Sequence, residues 1–171
     1  MLTCTIVDSV SAISPETAHR LIGGRVEGYR FFQALEKSRL PGFSFYYAIV
    51  ARDETPVLLA PLFTSDFNLD IAIDSGPINK IIQTLRRIFP RLLIMKTLFC
   101  GSPFGENGFV GIAPDEANNP DVILALAEKL AALSKELKAP LLMFKDFLGE
   151  DKSRLFPLLR EGFFETESFP N

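Results

Sequence analysis

Tryptophan is absent from this chain and histidine occurs once, at position 19. His19 has no serine, cysteine or carboxylate at a motif spacing, so it reads as a surface or packing residue rather than a catalytic base. Cysteine is nearly as scarce. Cys4 and Cys100 lie far apart and form no CxxC pattern, which suits two buried, reduced thiols in a cytoplasmic protein. No uninterrupted apolar run reaches 18 residues, so a spanning helix is not expected. The opening MLTCTIVDS lacks the basic and long apolar parts of a secretory signal. The net charge of −3 argues against a general nucleic-acid binder, DNA included. No serine–histidine–aspartate or cysteine–histidine set is available for covalent catalysis, and no metal site is expected.

Acidic residues are missing from Ser75 through Gly105, where Lys80, Arg86, Arg87, Arg91 and Lys96 all fall. Five charges spread over that length form no dense cluster. A solvated helix face explains them, and contact with an anionic substrate, through Arg86 and Arg87, or with a membrane surface stays open.

What is abundant is phenylalanine, with 16 copies in 171 residues. The composition is 47% hydrophobic and 23% charged, ordinary for a globular protein. The length fits a single domain over residues 1–171, large enough to bury a core without disulfides. Phe31 to Asp70 is the organising block: an amphipathic helix, a Pro41-Gly42 break and two apolar strands around a polar turn.

Leu2 to Val7 reads as a first strand. Ser14-Pro15-Glu16 starts a short helix that stops at Gly23-Gly24. Phe31, Phe32 and Leu35 mark one face of a second helix from Tyr29 to Ser38. Strands are expected over Phe43 to Ala51 and Pro56 to Phe63, joined by Asp53-Glu54-Thr55. The second is apolar throughout, as for a strand buried on both faces. Pro61 within it has no N–H for a ladder, so a bulge or strand end that splays the strand from a neighbour is expected there.

Asn68 to Ile73 reads as a strand, and Ile78 to Phe89 as an amphipathic helix ended by Pro90. Strands over Leu92 to Phe99 and Gly108 to Ile112 follow. Asn119-Pro120-Asp121 is the best helix start in the chain, with Ile123, Leu126, Ala127, Leu130, Leu133 and Leu137 as its buried stripe. Leu141 to Phe147 is a strand, Asp151 or Ser153 opens a last helix ended by Gly162, and Phe163 to Phe169 is a final strand.

This order, with Phe32-x-x-Leu35-Glu36-x-Ser38, Ala60-Pro61-Leu62-Phe63, Gly101-Ser102-Pro103-Phe104 and Gly162-Phe163, resembles the GNAT N-acyltransferases, in the branch related to Fem-type peptidoglycan aminoacyltransferases. The resemblance implies an α/β (α+β) fold, a mixed, mostly antiparallel sheet flanked by helices. It implies transfer of an acyl or aminoacyl group, from acyl-CoA or aminoacyl-tRNA, to an amine on a small molecule or a cell-wall precursor. Catalysis would rest on positioning and backbone donors to the developing oxyanion. Proteins of this branch carry two GNAT-like halves, so the chain is expected to be one half or a reduced homologue, with a second half as its partner. The alternative is a non-catalytic module that binds such a partner.

One feature of the family is missing. GNAT enzymes hold the pyrophosphate of acyl-CoA on a glycine-rich loop before a helix, using backbone N–H groups and the helix N-terminus. Gly111 to Pro120 has no such loop, and Asp115 and Glu116 would repel a phosphate. Within the resemblance, Asp146 near the end of the Leu141 strand could take the proton of an acceptor amine, or simply pair with Lys145 or Lys152. Glu36 and Ser38 could line the acceptor pocket, or serve as a solvated helix end and local cap.

Overall fold

The computed structural model of the chain describes residues 1–68, 94–105 and 107–166. A mixed sheet runs through its centre. Strands β1 (Leu2–Val7), β2 (Ser44–Arg52), β3 (Thr55–Asn68), β4 (Ile94–Cys100) and β6 (Leu141–Phe144) lie side by side in that order. The two-residue β5 (Gly111–Ile112) pairs with β3. All pairings are antiparallel except that of β4 with β6.

Helices α1 (Pro15–Ile22) and α2 (Tyr29–Lys37) begin where the sequence places them. Ser14 Oγ accepts from Thr17 N at 3.1 Å, and Pro15 sits where no N–H is needed. Helix α3 (Pro120–Glu136) is capped by Asn119, whose Oδ1 accepts from Asp121 N at 3.1 Å. The helices cover both faces of the sheet. Tyr47 of β2 packs its ring edge-on against Phe32 of α2, while its neighbour Tyr46 lines a groove with Lys129 and Leu133 of α3. Consecutive strand residues point to opposite faces. Strand β3 is therefore sandwiched, and Val57 to Thr64 are buried without interruption. Leu58, Leu59, Leu98, Leu126 and Leu130 are wholly shielded from solvent, each worth about 1.5–3 kcal/mol of transfer free energy.

The β2–β3 hairpin turns on Asp53 and Glu54, both at positive φ (46° and 71°). That two-residue geometry matches the right-handed twist of the strands it joins. The Asp53 carboxylate pairs with the N-terminal ammonium of Met1, which holds its pKa below the usual range.

Pro61 marks a break in the ladder on one side only. It stays in register with Tyr47 of β2, where the irregularity falls instead between Val50 and Ala51. On the other side β4 ends opposite Leu62. Gly101 N still donates to Pro61 O at 2.9 Å, but the proline returns no N–H. The chain leaves the sheet there and rejoins it as β5, opposite Leu58 and Leu59.

Several boundaries differ from those read in the sequence. Strand β3 continues to Asn68, five residues past Phe63, because β4 pairs with it from Leu62 to Asn68. Strand β6 stops at Phe144, since Asp146 adopts a left-handed backbone (φ 57°) that ends extended structure. Only Gly111–Ile112 of the expected Gly108 strand is extended. The last helix, α4 (Gly149–Arg154), opens earlier, and a 3-10 helix over Phe156–Arg160 replaces its continuation, because Pro157 removes a helical donor. Residues 163–166 are not a strand. The helix read at Ile78 to Phe89, and most of the strand read from Asn68, lie outside the described residues. Among the described residues no helix is long and apolar enough to cross a membrane.

Candidate functional site

In an open sheet, ligands sit outside the carboxyl ends of parallel strands. Here β4 and β6 are that pair, and three segments meet at their carboxyl ends. The first is the excursion from Gly101 to Val110 that separates β4 from β5. The second is the 145–148 segment after β6. The third is the α1–α2 loop, Gly23 to Gly28.

Arg25 ties the third segment to the others. Its guanidinium carbon lies 4.5 Å from the centre of the Phe109 ring, and its Nη2 donates to Asp151 Oδ2 of α4 at 3.2 Å. Glu27 reaches the excursion: a Cβ on Gly105 would lie 2.7 Å from its Oε1. Asp146 stands just past β6, with its carboxylate paired to Lys145 Nζ and its side chain one-third exposed. This is the pairing with Lys145 that the sequence allowed as the alternative to a catalytic role.

The crevice between the strand ends is filled by the chain itself. Lys145 N donates to Cys100 O at 3.0 Å, and one step further Gly108 N donates to Asp146 O at 2.8 Å. Gly108 bridges to Phe147 as a parallel rung. The returning excursion thus takes the ladder position that β4 vacated at Gly101 (φ 126°). Only glycine fits at position 108, because a Cβ would sit 1.8 Å from Lys145 O and 2.7 Å from the Phe147 ring. Phe109 and Val110 continue into the main core, both nearly fully buried.

The start of α3 is chemically closed as well. Glu116, itself buried, accepts from Arg52 Nε and Nη2 and from Asn119 Nδ2 at 2.6 Å. Hydrogen bonds from Arg52 and Asn119 hold its carboxyl below the usual carboxylate range. Asp121 N is taken by the Asn119 cap and Pro120 has no N–H to give.

Glu36 and Ser38 lie elsewhere. Glu36 Oε1 accepts from Val10 N at 2.7 Å and its Oε2 from Ser9 Oγ at 2.8 Å, which ties the end of α2 to the turn after β1. Ser38 Oγ donates to Leu35 O at 2.6 Å. The Glu36 carboxylate sits beside the buried Tyr47 hydroxyl, which makes no hydrogen bond of ordinary geometry among the described residues; burial, then Glu36, push the phenol's pKa up. Tyr47 is three strand spacings from β6, about 14 Å, so Glu36 and Asp146 are not brought together. Arg86 and Arg87 lie outside the described residues. Among the described residues no group of three or more His, Cys, Asp and Glu could hold a metal ion.

Sequence reading missed Arg25, Glu27, Asp151 and Gly108. Glycines bracket the Arg-Val-Glu tripeptide at 25–27, and Gly101, Gly105, Gly108 and Gly111 recur through the excursion, but no sequence signal marks Asp151.

No protein-family model and no curated protein matches the sequence. Solved structures do match, along the full chain. The aminoglycoside 6'-N-acetyltransferase AAC(6')-Ih from Acinetobacter baumannii has a TM-score of 0.55 at 11% identity, covering 100% of this chain and 96% of its own. The aminoglycoside acetyltransferase HMB0005 from an uncultured soil metagenomic sample gives 0.53 at 12% identity, covering 100% and 97%. A GCN5-related N-acetyltransferase from Ralstonia eutropha JMP134 gives 0.51 at 12% identity, with the same coverage. The fold is that of the GNAT acetyltransferases. In that frame β4 and β6 are the parallel pair, α3 is the crossover between them, and the expected mixed sheet flanked by helices is present.

Proposed function

We propose that this chain is an N-acyltransferase that moves an acyl or aminoacyl group onto an amine. The observation that carries the reading is the meeting of three loops at the carboxyl ends of the β4–β6 pair, with Asp146 in the segment just past β6. In the step we infer, the amine nitrogen attacks the acyl carbon and a C–N bond forms. Asp146 takes the amine proton, the bond from the acyl carbon to its carrier breaks, and the proton passes to the departing carrier. Arg25 and Glu27 border the acceptor side, while Glu36 and Ser38 enter only as the ties that hold α2. Arg86 and Arg87 keep their assignment to an anionic part of the substrate.

The finer reading is Fem-type: aminoacyl-tRNA as donor, a cell-wall precursor as acceptor and a second GNAT-like half as partner. The free thiols of Cys4 and Cys100 favour the cytoplasm.

A second reading, a non-catalytic module that docks on another acyltransferase half, is favoured by one specific feature. Gly108 and Phe147 carry the ladder past the strand ends and occupy the crevice.

Mass spectrometry of reactions offering acetyl-CoA, S-acetylpantetheine and aminoacyl-tRNA to aminoglycosides, polyamines and a cell-wall precursor separates the two. Transfer from any donor, lowered in Asp146→Asn, supports the enzyme. Transfer from none of them leaves the docking module.

A further inference from the structure

Coenzyme A is the acyl carrier that the GNAT fold implies, and its diphosphate is held in such folds at the N-terminus of the crossover helix. Among the described residues, those at the start of α3 do not fit that group. At the start of α3, backbone donors that would face a diphosphate are already used. Glu116 N donates to Ala113 O at 2.9 Å, Asn119 N to Glu116 O at 3.0 Å, Asp121 N to the Asn119 side chain at 3.1 Å and Val122 N to Asn119 O at 3.3 Å. Position 120 is proline, which has no donor. The anion that the helix dipole favours is already present, because Glu116 is buried there. Asp115 and Asp121 add two exposed negative charges, and the cation Arg52 is committed to Glu116. A diphosphate would meet carboxylates where it needs free N–H groups.

The other glycine-rich segment, Gly101 to Gly105, offers no substitute. It follows a strand without leading into a helix, Ser102 Oγ consumes Gly105 N at 3.2 Å, and Glu27 borders Gly105.

We infer that this chain recognises its acyl donor without holding a diphosphate, so its donor class is defined by the acyl group and the proximal arm of the carrier. The inference rests on the acyltransferase reading for the word donor, and on the α3 geometry for the rest. Calorimetry of the full chain would compare acetyl-CoA, S-acetylpantetheine (the same thioester arm without phosphates) and ADP, which carries the 5′-diphosphate. Amide NMR would follow Asp121 and Val122. The expected result is measurable affinity for acetyl-CoA and S-acetylpantetheine within about threefold of each other, with no response to ADP and no shift at Asp121 or Val122. A gain of about 100-fold or more for acetyl-CoA, saturable binding of ADP, or no affinity for S-acetylpantetheine would overturn it. Because the whole chain is measured, a diphosphate held by Arg86 or Arg87 would register as that gain. The diphosphate result and the transfer result are independent: either can fail while the other stands.

Discussion

Replacing Gly108 with alanine tests the filled crevice most severely. The new Cβ would lie 1.8 Å from Lys145 O and within 2.7–2.8 Å of two Phe147 ring carbons. Phe147 is buried and Lys145 O belongs to the backbone, so neither can swing away as a flexible side-chain end would. The excursion must back out of the ladder. Overpacking of this kind costs about 1–3 kcal/mol, and losing the Gly108 N to Asp146 O bond adds about 1 kcal/mol. The expected loss is therefore about 2–4 kcal/mol. With a urea m-value of about 2 kcal/mol/M for a chain of this size, the unfolding midpoint falls by about 1–2 M. Gly28→Ala is the control, because its Cβ would meet nothing nearer than Arg25 O at 3.5 Å; it should cost under about 1 kcal/mol. Urea melts followed by circular dichroism read both. A Gly108→Ala midpoint matching that of Gly28→Ala would refute the crevice geometry.

Leu126→Ala should cost about 2–5 kcal/mol in the same melts, since Leu126 is fully buried in the α3 stripe. Glu116 has a depressed folded pKa, so its stabilisation is present above the unfolded carboxylate value and is lost as pH falls through the folded value. Wild type should therefore lose stability on acidification more steeply than Glu116→Gln, and parallel curves in pH-dependent melts would contradict that. Burial raises the pKa of Cys4 to about 11, against the opposing pull of Lys129, and raises that of the fully buried Cys100 further. At pH 8 a disulfide reagent should label Cys4 slowly and Cys100 only on unfolding, as site-resolved mass spectrometry would show.

Much of the fold was legible because its signals are local. Ser14-Pro15 and Asn119-Pro120-Asp121 fix helix starts through capping chemistry that needs no tertiary context. The uninterrupted apolar run of β3 announced burial on both faces, whereas β3 neither bulges nor ends at Pro61 and only the ladder to β4 stops beside it. The misplaced ends depend on partners distant in sequence. Thr64 to Asn68 are extended because β4 lies beside them, and Lys145 leaves β6 because Asp146 turns left-handed to meet Gly108. The site was less legible for the same reason. Arg25 and Asp151 are 126 residues apart, and no spacing rule joins them. The sequence left Glu36 open between a pocket residue and a solvated helix end, because nothing in it pairs Glu36 with Ser9 and Val10.

The most direct measurement of the acyltransferase claim is single-turnover transfer by wild type and Asp146→Asn against the amine panel, read by mass spectrometry. Asparagine tolerates the left-handed backbone at position 146 (φ 57°), so the variant keeps the fold while losing the base. The account predicts transfer by wild type and a loss of about 10²–10⁴-fold in the variant, with unchanged urea midpoints. Equal rates for the two proteins, or no transfer from any donor by wild type, would contradict it.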